Sequence, residues 1–268
     1  MITAYRRPER IVCLTDEFTE LLYILGEQER IVGISGYSVR PPEARKEKPR
    51  VTSFIRSRTD KIVSLKPDLV LGFSDMQAGI ASELIREGLG VYIFNQRSIQ
   101  GILDMIFTVG SLVGQEEKSE TLIESLCHDM DIIKEEVKGF VRRPLVYFEE
   151  WGDPLISGVR WVSEIIEIAG GVDCFVELSK MPSAKDRIVS DSRLVVEKNP
   201  DIIIGSWCGK KFRPEKLIER EGWEKINAVK TGDTYEVKSS IILQPGVAAL
   251  RDGLQIVYGM IKDWYEKV

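Results

Sequence analysis

The chain has 268 residues, 43% of them apolar and 29% charged, with a net charge of -5. That composition excludes a disordered or fibrous chain, and the acidic balance argues against a nucleic-acid partner, which needs a basic surface to neutralise phosphates. No stretch reaches the roughly 18 consecutive apolar residues of a bilayer span, so the chain is not expected to be membrane-spanning itself, and its length suits two lobes of roughly 100 to 150 residues each.

The opening run, "MITAYRRPERIVCLTDE", has an Arg pair but no apolar core or small-residue cleavage site of a secretory signal. Read as it stands, it places the chain in the cytoplasm. If the sequence is a mature form trimmed of a leader, the location is periplasmic or extracellular.

"ERIVCLTDE" then "FTELLYILG" predicts a strand, a turn and a helix that stops at Gly26. "RIVGISGYS" is a second short strand ending at Gly36 and Tyr37, and "RPPEARKEKPR" reads as a proline-bounded polar loop. "TDKIVSLKPDLVLGF" predicts a helix giving way at Pro67 to a strand from Asp68 to Gly72. "SELIREGLGVYIFNQRS" predicts a helix closed near Gly88, then the strand "VYIFN". Strands alternating with helices imply parallel pairing through right-handed crossovers.

Residues 116 to 138 carry Leu122, Leu126, Met130, Ile133 and Val137 on one face with charge elsewhere, which predicts one long amphipathic helix. At 1.5 Å per residue it would span roughly 35 Å. The alternation then restarts: strand "LVYFEEW", helices "RWVSEIIEIAGG" and "DSRLVVEKN", strand "PDIIIGSW", a helical segment after Pro214, strand "TYEVK", and a final helix from about Pro245 to Lys267. The fold class is therefore α/β: two Rossmann-like lobes with parallel sheets, residues 1–115 and 141–268, joined by a backbone helix, residues 116–140. "KPDLVLGF" and "NPDIIIGSW" echo one another across the two halves. Each delivers residues to the carboxyl end of a buried strand, where open α/β sheets bind ligands.

The candidate chemistry is sparse. His128 is the single histidine and sits mid-helix among charges, so no multi-histidine metal site is expected. Cys13, Cys127, Cys174 and Cys208 are scattered, without a Cys-x-x-Cys pair. In "SWCGKKFRP" the Cys208 thiol has Lys210, Lys211 and Arg213 for neighbours, which predicts a lowered thiol pKa. No histidine base accompanies it, which argues against nucleophilic catalysis. The same basic cluster equally suits an anionic ligand such as a phosphate or carboxylate. Trp161 and Trp223 lie inside helical patterns and read as packing; Trp151 and Trp207 each follow a strand and are candidates to face a ligand. Glu149 and Glu150 are consecutive in a strand, so only one of them faces the same way as a ligand. "SAKDRIVSDS" supplies Lys185, Asp186 and Arg187 as either a solvated turn or a rim. No Gly-rich phosphate loop is present, so nucleotide hydrolysis and hydride transfer lack their usual support. The reading is of a non-enzyme.

With those elements in place, "RIVCLTDEFTELLYILGEQERIVGISGYSVRPPEARKEKPRVTSF", "KIVSLKPDLVLGF" and "YFEEWGDPLISGVRWVSEIIEIAGGVDCF" together resemble the substrate-binding proteins of ABC transporters for cobalamin, haem and siderophores, with cobalamin binders the nearest likeness. The resemblance implies the class III substrate-binding fold and a small-molecule ligand in an inter-lobe cleft. It also implies no resident cofactor, a bound corrinoid or other metal chelate, and an ABC permease as partner. It implies cleft residues at Thr15, Asp16 and Glu17, at Tyr37, at Phe54, at Phe73, Ser74 and Asp75, at Arg97, at Glu150 and Trp151, at Trp207 and Cys208, and at Gln244. Aromatic faces would bury the ligand, while Asp16, Asp75, Arg97 and Glu150 pair with its polar edge.

Three features depart from the family pattern. No leader is seen. The acidic docking positions of the two lobes fall near Gln77 and Arg193, neither acidic. Asp16 stands where cobalamin binders often have Pro. These motivate a second reading: a cytoplasmic small-molecule binder, sensor or enzyme that keeps the fold without docking on a permease.

Overall fold

The computed structural model describes residues 6–53, 56–57 and 59–267. The chain divides into two compact units, Met1–Gln96 with Gln100–Glu124, and Arg97–Ile99 with Ser125–Val268.

In the first unit the apolar runs form β1 (Ile11–Cys13), β2 (Ile31–Ser35), β3 (Arg50–Ser53), β4 (Arg56–Ser57), β5 (Leu69–Phe73) and β6 (Val91–Phe94) in one sheet of order β4-β3-β2-β1-β5-β6. All neighbours are parallel except β3 with β4. The helices are α1 (Asp16–Ile24), α2 (Ala44–Glu47), α3 (Thr59–Ser64), α4 (Ala78–Arg86) and α5 (Ile99–Val113), the last beginning at the boundary of the units. Gly26 and Gly88, both at positive φ, end α1 and α4 where the sequence predicts.

Helix α6 (Glu116–Val137) is the long amphipathic helix, and the division of the units falls within it, after Glu124. Leu122, Leu126, Met130 and Ile133 are buried as their spacing predicts, and Val137 is half-buried. His128 is exposed.

The second unit holds β7 (Leu145–Gly152), β8 (Leu155–Ser157), β9 (Val172–Asp173), β10 (Ile202–Gly205) and β11 (Thr234–Glu236). Their order is β11-β10-β7-β8, with β9 also on β7; the pairs are parallel except β7 with β8. Its helices are α7 (Arg160–Ile168), α8 (Val176–Ser179), α9 (Arg193–Lys198), α10 (Asn227–Thr231), α11 (Ser239–Ile242) and α12 (Leu254–Lys267), the last entered through a π turn at Ala249–Gly253.

β5 and β10 are buried along their whole length, the condition of parallel strands covered on both faces. The echo between the two halves also has a cause at the opposite, amino ends of those strands. Lys66 and Asn199 both adopt the left-handed conformation that ends a helix, at φ 49 and φ 48. Each is followed by Pro and then by Asp. The Asp68 carboxylate accepts the N–H groups of Glu9 and Arg10 at 2.8 and 2.9 Å, and that of Asp201 accepts the Leu145 N–H at 3.1 Å. In each unit the aspartate thereby satisfies backbone donors at the start of its central strand.

Two expectations are corrected, and one element goes beyond them. The polar segment from Arg40 to Arg50 is not all loop: it holds α2 and leads into β3, whose Val51 is buried in the first unit's core. β4 and β8 pair antiparallel, and like β9 they are too short for a periodicity to register. Residues 99–113 form a full helix, α5, whose end at Gly114 leads directly into α6.

α5 and α6 approach each other at Gly110, where an added Cβ would lie 2.5 Å from the Cβ of fully buried Ser119. Gly110→Ala should therefore lower the urea midpoint of unfolding, at a cost of about 1–3 kcal/mol for overpacking, without changing the denaturant slope.

Candidate functional site

In a doubly wound sheet the carboxyl ends of the strands at the switch of strand order form the natural binding crevice. In the first unit that switch lies at β1 and β5, flanked by β2. In the second it lies at β7 and β10.

At the end of β1, Thr15 precedes α1 and its hydroxyl donates to Glu17 Oε1 at 2.7 Å. Asp16 and Glu17 occupy the first helical turn, where the helix dipole favours negative charge, yet each is only 3% exposed. Asp16 accepts the Val39 N–H at 3.1 Å and the Arg40 N–H at 3.4 Å, while Arg40 Nε donates to Glu20 at 2.7 Å. The acidic turn of α1 thus holds the loop after β2, which carries Tyr37, an aromatic side chain 64% exposed. Burial raises the Asp16 carboxyl to about 6 against the pull of those N–H donors. Burial raises Glu17 further, to about 8, with the Thr15 hydrogen bond opposing. At neutral pH Glu17 is a mainly neutral carboxylic acid.

At the end of β5, Phe73 is the last strand residue and is buried; its N–H donates to Gln77 Oε1 at 2.9 Å. Ser74 turns the chain at φ 69, its hydroxyl accepting the Met76 N–H at 3.3 Å, and Asp75 and Met76 emerge exposed. Gln77 is fully buried, so it is an interior brace of the turn rather than a surface position. Arg97 is half-buried in the short segment that the fold groups with the second unit. Phe54 lies outside the described residues.

In the second unit, Glu149 and Glu150 on β7 have separate partners. Glu149 is fully buried, gripped by Arg220 through two bonds at 2.6 and 3.0 Å, and also accepts Trp207 Nε1–H at 3.1 Å and the Tyr147 hydroxyl at 3.2 Å. Burial, and next the charge of Glu149, push the Tyr147 phenol well above its ordinary value. Glu150 pairs with Arg187 at 2.6 and 3.2 Å. Arg187 is 3% exposed and also donates to the Ser157 carbonyl, so it is neither a solvated turn residue nor a rim.

Trp151 donates its indole N–H to the Asp153 carbonyl at 2.8 Å, and Lys210 Nζ sits 4.7 Å over its ring. Trp207 packs edge-on to Phe212, with centroids 5.4 Å apart. Gln244 is half-buried in the loop after α11, its carbonyl accepting the Gly246 N–H at 2.8 Å. Trp161 and Trp223 are buried packing residues, as read from their helical patterns.

The expectation for Cys208 is overturned. The residue is exposed, but its thiol is raised, by desolvation and by the Glu150 carboxylate. Its sequence neighbour Lys210 points over Trp151 instead of at the sulfur. Arg220, which with Arg187 organises the second unit's end, was missed, and Arg187 was read as a turn or rim without its carboxylate partner. The two arginines lie 71 and 37 residues from their carboxylates, and no local motif marks them. Among the described residues no group of three or more His, Cys, Asp and Glu side chains could hold a metal ion.

Comparison with known proteins places this geometry. The periplasmic binding protein family matches residues 11–241. The chain is 25% identical to the uncharacterized ABC transporter substrate-binding lipoprotein YvrC of Bacillus subtilis, over 99% of this chain and 84% of the relative. It is 26% identical to the vitamin B12-binding protein of Vibrio cholerae, over 74% and 70%. Among solved structures, a possible iron-binding, periplasmic solute-binding protein of Staphylococcus epidermidis superposes with a TM-score of 0.81 at 24% identity, covering 96% of this chain and 99% of that one.

Glu17 supplies a test of the buried acidic turn. Its native pKa lies above the unfolded value of 4.5, so the folded chain keeps a proton that the unfolded chain releases. Stability contributed at this position therefore falls as pH rises from about 4.5 to about 8. Thermal unfolding followed by circular dichroism should find Glu17→Gln melting above the parent at pH 8.5, with the gap closing toward pH 4.5.

Proposed function

Because the chain belongs to the periplasmic binding protein family, we propose that it is the substrate-binding component of an ABC importer for a large, flat metal chelate, with a corrinoid as the leading candidate. At the family level such proteins are binders rather than catalysts. The observation that carries the reading is that each unit brings accessible aromatic side chains to the carboxyl ends of its parallel strands: Tyr37 in the first, Trp151 and Trp207 in the second. Polar groups already fixed by internal bonds surround them, and aromatic faces with a few placed polar groups suit a planar ligand of this size. The relative named for vitamin B12 binding supports the corrinoid, and the solved structure named for iron binding widens the chelate class.

In the first unit the recognition surface would be Tyr37 and the exposed Asp75, and in the second unit Trp151 and Trp207. Asp16 and Glu150 would act at one remove, since their carboxylates already hold the Tyr37 loop and Arg187. The partner would be a permease. The location would be the periplasm or the outer face of the cytoplasmic membrane, which the lipoprotein and periplasmic relatives support over the cytoplasmic expectation.

A thermal-shift titration with cyanocobalamin, cobinamide, haem and a ferric siderophore checks this directly. A ligand at 100 times its dissociation constant stabilises the folded state by about 2.7 kcal/mol, a rise of several degrees. The corrinoids should give that rise, and Tyr37→Ala and Trp151→Ala should each reduce it, the rise being read against each variant's own unliganded melting point. A rise with haem alone would replace the corrinoid by another planar chelate, and no rise with any of them would sink the chelate reading.

A further inference from the structure

The ten residues from Trp207 to Lys216 carry four cations and one acid in a chain whose net charge is -5. They fold into an open concavity of about 360 Å³ lined by Trp207, Lys210, Lys211, Arg213 and Lys216, all in the second unit. Its wall is fixed from beneath. Gly205 ends β10 directly under the Phe212 ring, where an added Cβ would lie 1.9 Å from a ring carbon, and the Phe212 N–H donates to Glu236 Oε1 at 2.9 Å. Trp207 is wedged between Phe212 and Gly152, with its indole N–H on buried Glu149.

The charge of Glu149 is answered by Arg220, so the acid below the wall is already paired. Among the described residues, none of Lys210, Lys211, Arg213 and Lys216 forms an ion pair with a carboxylate; Lys210 is held over the Trp151 ring. Four exposed cations around a rigid aromatic wall focus positive potential into one concavity. Its volume falls within the range of small-molecule sites, roughly 300–1,000 Å³. The planar fork of an arginine beside lysines suits phosphate or carboxylate oxygens. A concavity of this size on an acidic chain favours a small organic anion over the backbone of a nucleic acid.

We propose that this concavity binds a small planar polyanion, with a ring against Trp207 and phosphate or carboxylate groups on Lys210, Lys211, Arg213 and Lys216. The inference rests on the chain being a small-molecule binder and specifies what its ligand carries: an anionic edge that the second unit reads.

The test is a nitrogen-15 NMR titration of the full chain with phenyl phosphate, pyrophosphate and uncharged phenol. It reads the backbone amides of residues 207–216 and the Trp207 indole N–H. The Lys211→Gln/Arg213→Gln double variant, changed only at exposed side chains, runs in parallel, its fold checked by the remaining resonances. Phenyl phosphate should give saturable shifts confined to this stretch, at least tenfold weaker in affinity in the double variant and weakened by added salt. Pyrophosphate should move the same amides with a smaller indole shift, and phenol should move none. Equal affinity in the double variant, shifts spread over lysines elsewhere, or no saturable shift would overturn the proposal. So would sedimentation with phosphatidylglycerol vesicles through these side chains without any response to phenyl phosphate, which would assign them to a lipid headgroup. If phenyl phosphate fails while a chelate still raises the melting point, this inference falls and the proposed function stands. Saturable phenyl phosphate binding with no chelate response leaves the anion site standing and removes the chelate.

Discussion

Strands buried on both faces leave little room for chemistry along their length. β5 and β10 have no exposed residue and carry no polar side chain, and their backbone groups are committed to parallel neighbours. Polar and aromatic groups are therefore gathered where the strands stop. The same constraint acts at the opposite ends, where Asp68 and Asp201 close the backbone accounts of the adjoining strands. Two stretches of sequence echo each other because they solve this one problem twice.

The two units organise their carboxyl ends by different electrostatics. The first uses acids at the start of α1, partly neutral because burial outweighs the hydrogen bonds they receive, and uses them to hold a backbone loop. The second buries a full ion pair. Glu149 with Arg220 is costly to desolvate, and such a pair is weak evidence for stability. What it does here is geometric: it satisfies an otherwise isolated buried carboxylate and presents an acceptor to Trp207, so that the indole stands at a defined angle against Phe212. An aromatic wall held this way loses little rotamer freedom when a ligand meets it.

Much of this architecture was legible in the sequence because it rests on period and length. The alternation of strands and helices, the 22-residue α6 with its buried stripe, and the Gly stops at 26 and 88 all follow from local pattern. The antiparallel strands β4 and β8 did not, being two and three residues long. At the candidate site, the positions at strand ends were legible and their partners were not. Thr15, Tyr37, Trp151 and Trp207 stand at strand ends as read, but the partners of Glu149 and Glu150 come from distant segments that only the tertiary fold brings near. Cys208 shows the hazard of reading electrostatics along the chain: Lys210 sits over the Trp151 ring, and desolvation and a carboxylate from β7 raise the thiol that its basic sequence neighbours were expected to lower.

The central claim is that ligand is held at the carboxyl ends of the parallel strands. Hydrogen exchange read by mass spectrometry, with and without saturating cyanocobalamin, tests it most directly. The account predicts slowed exchange in peptides covering residues 14–20, 36–40, 73–79, 149–153 and 206–213, with the amino-end segments around Asp68 and Asp201 unchanged. Protection at those amino ends, or along α6 alone, or no protection at the strand exits, would contradict it.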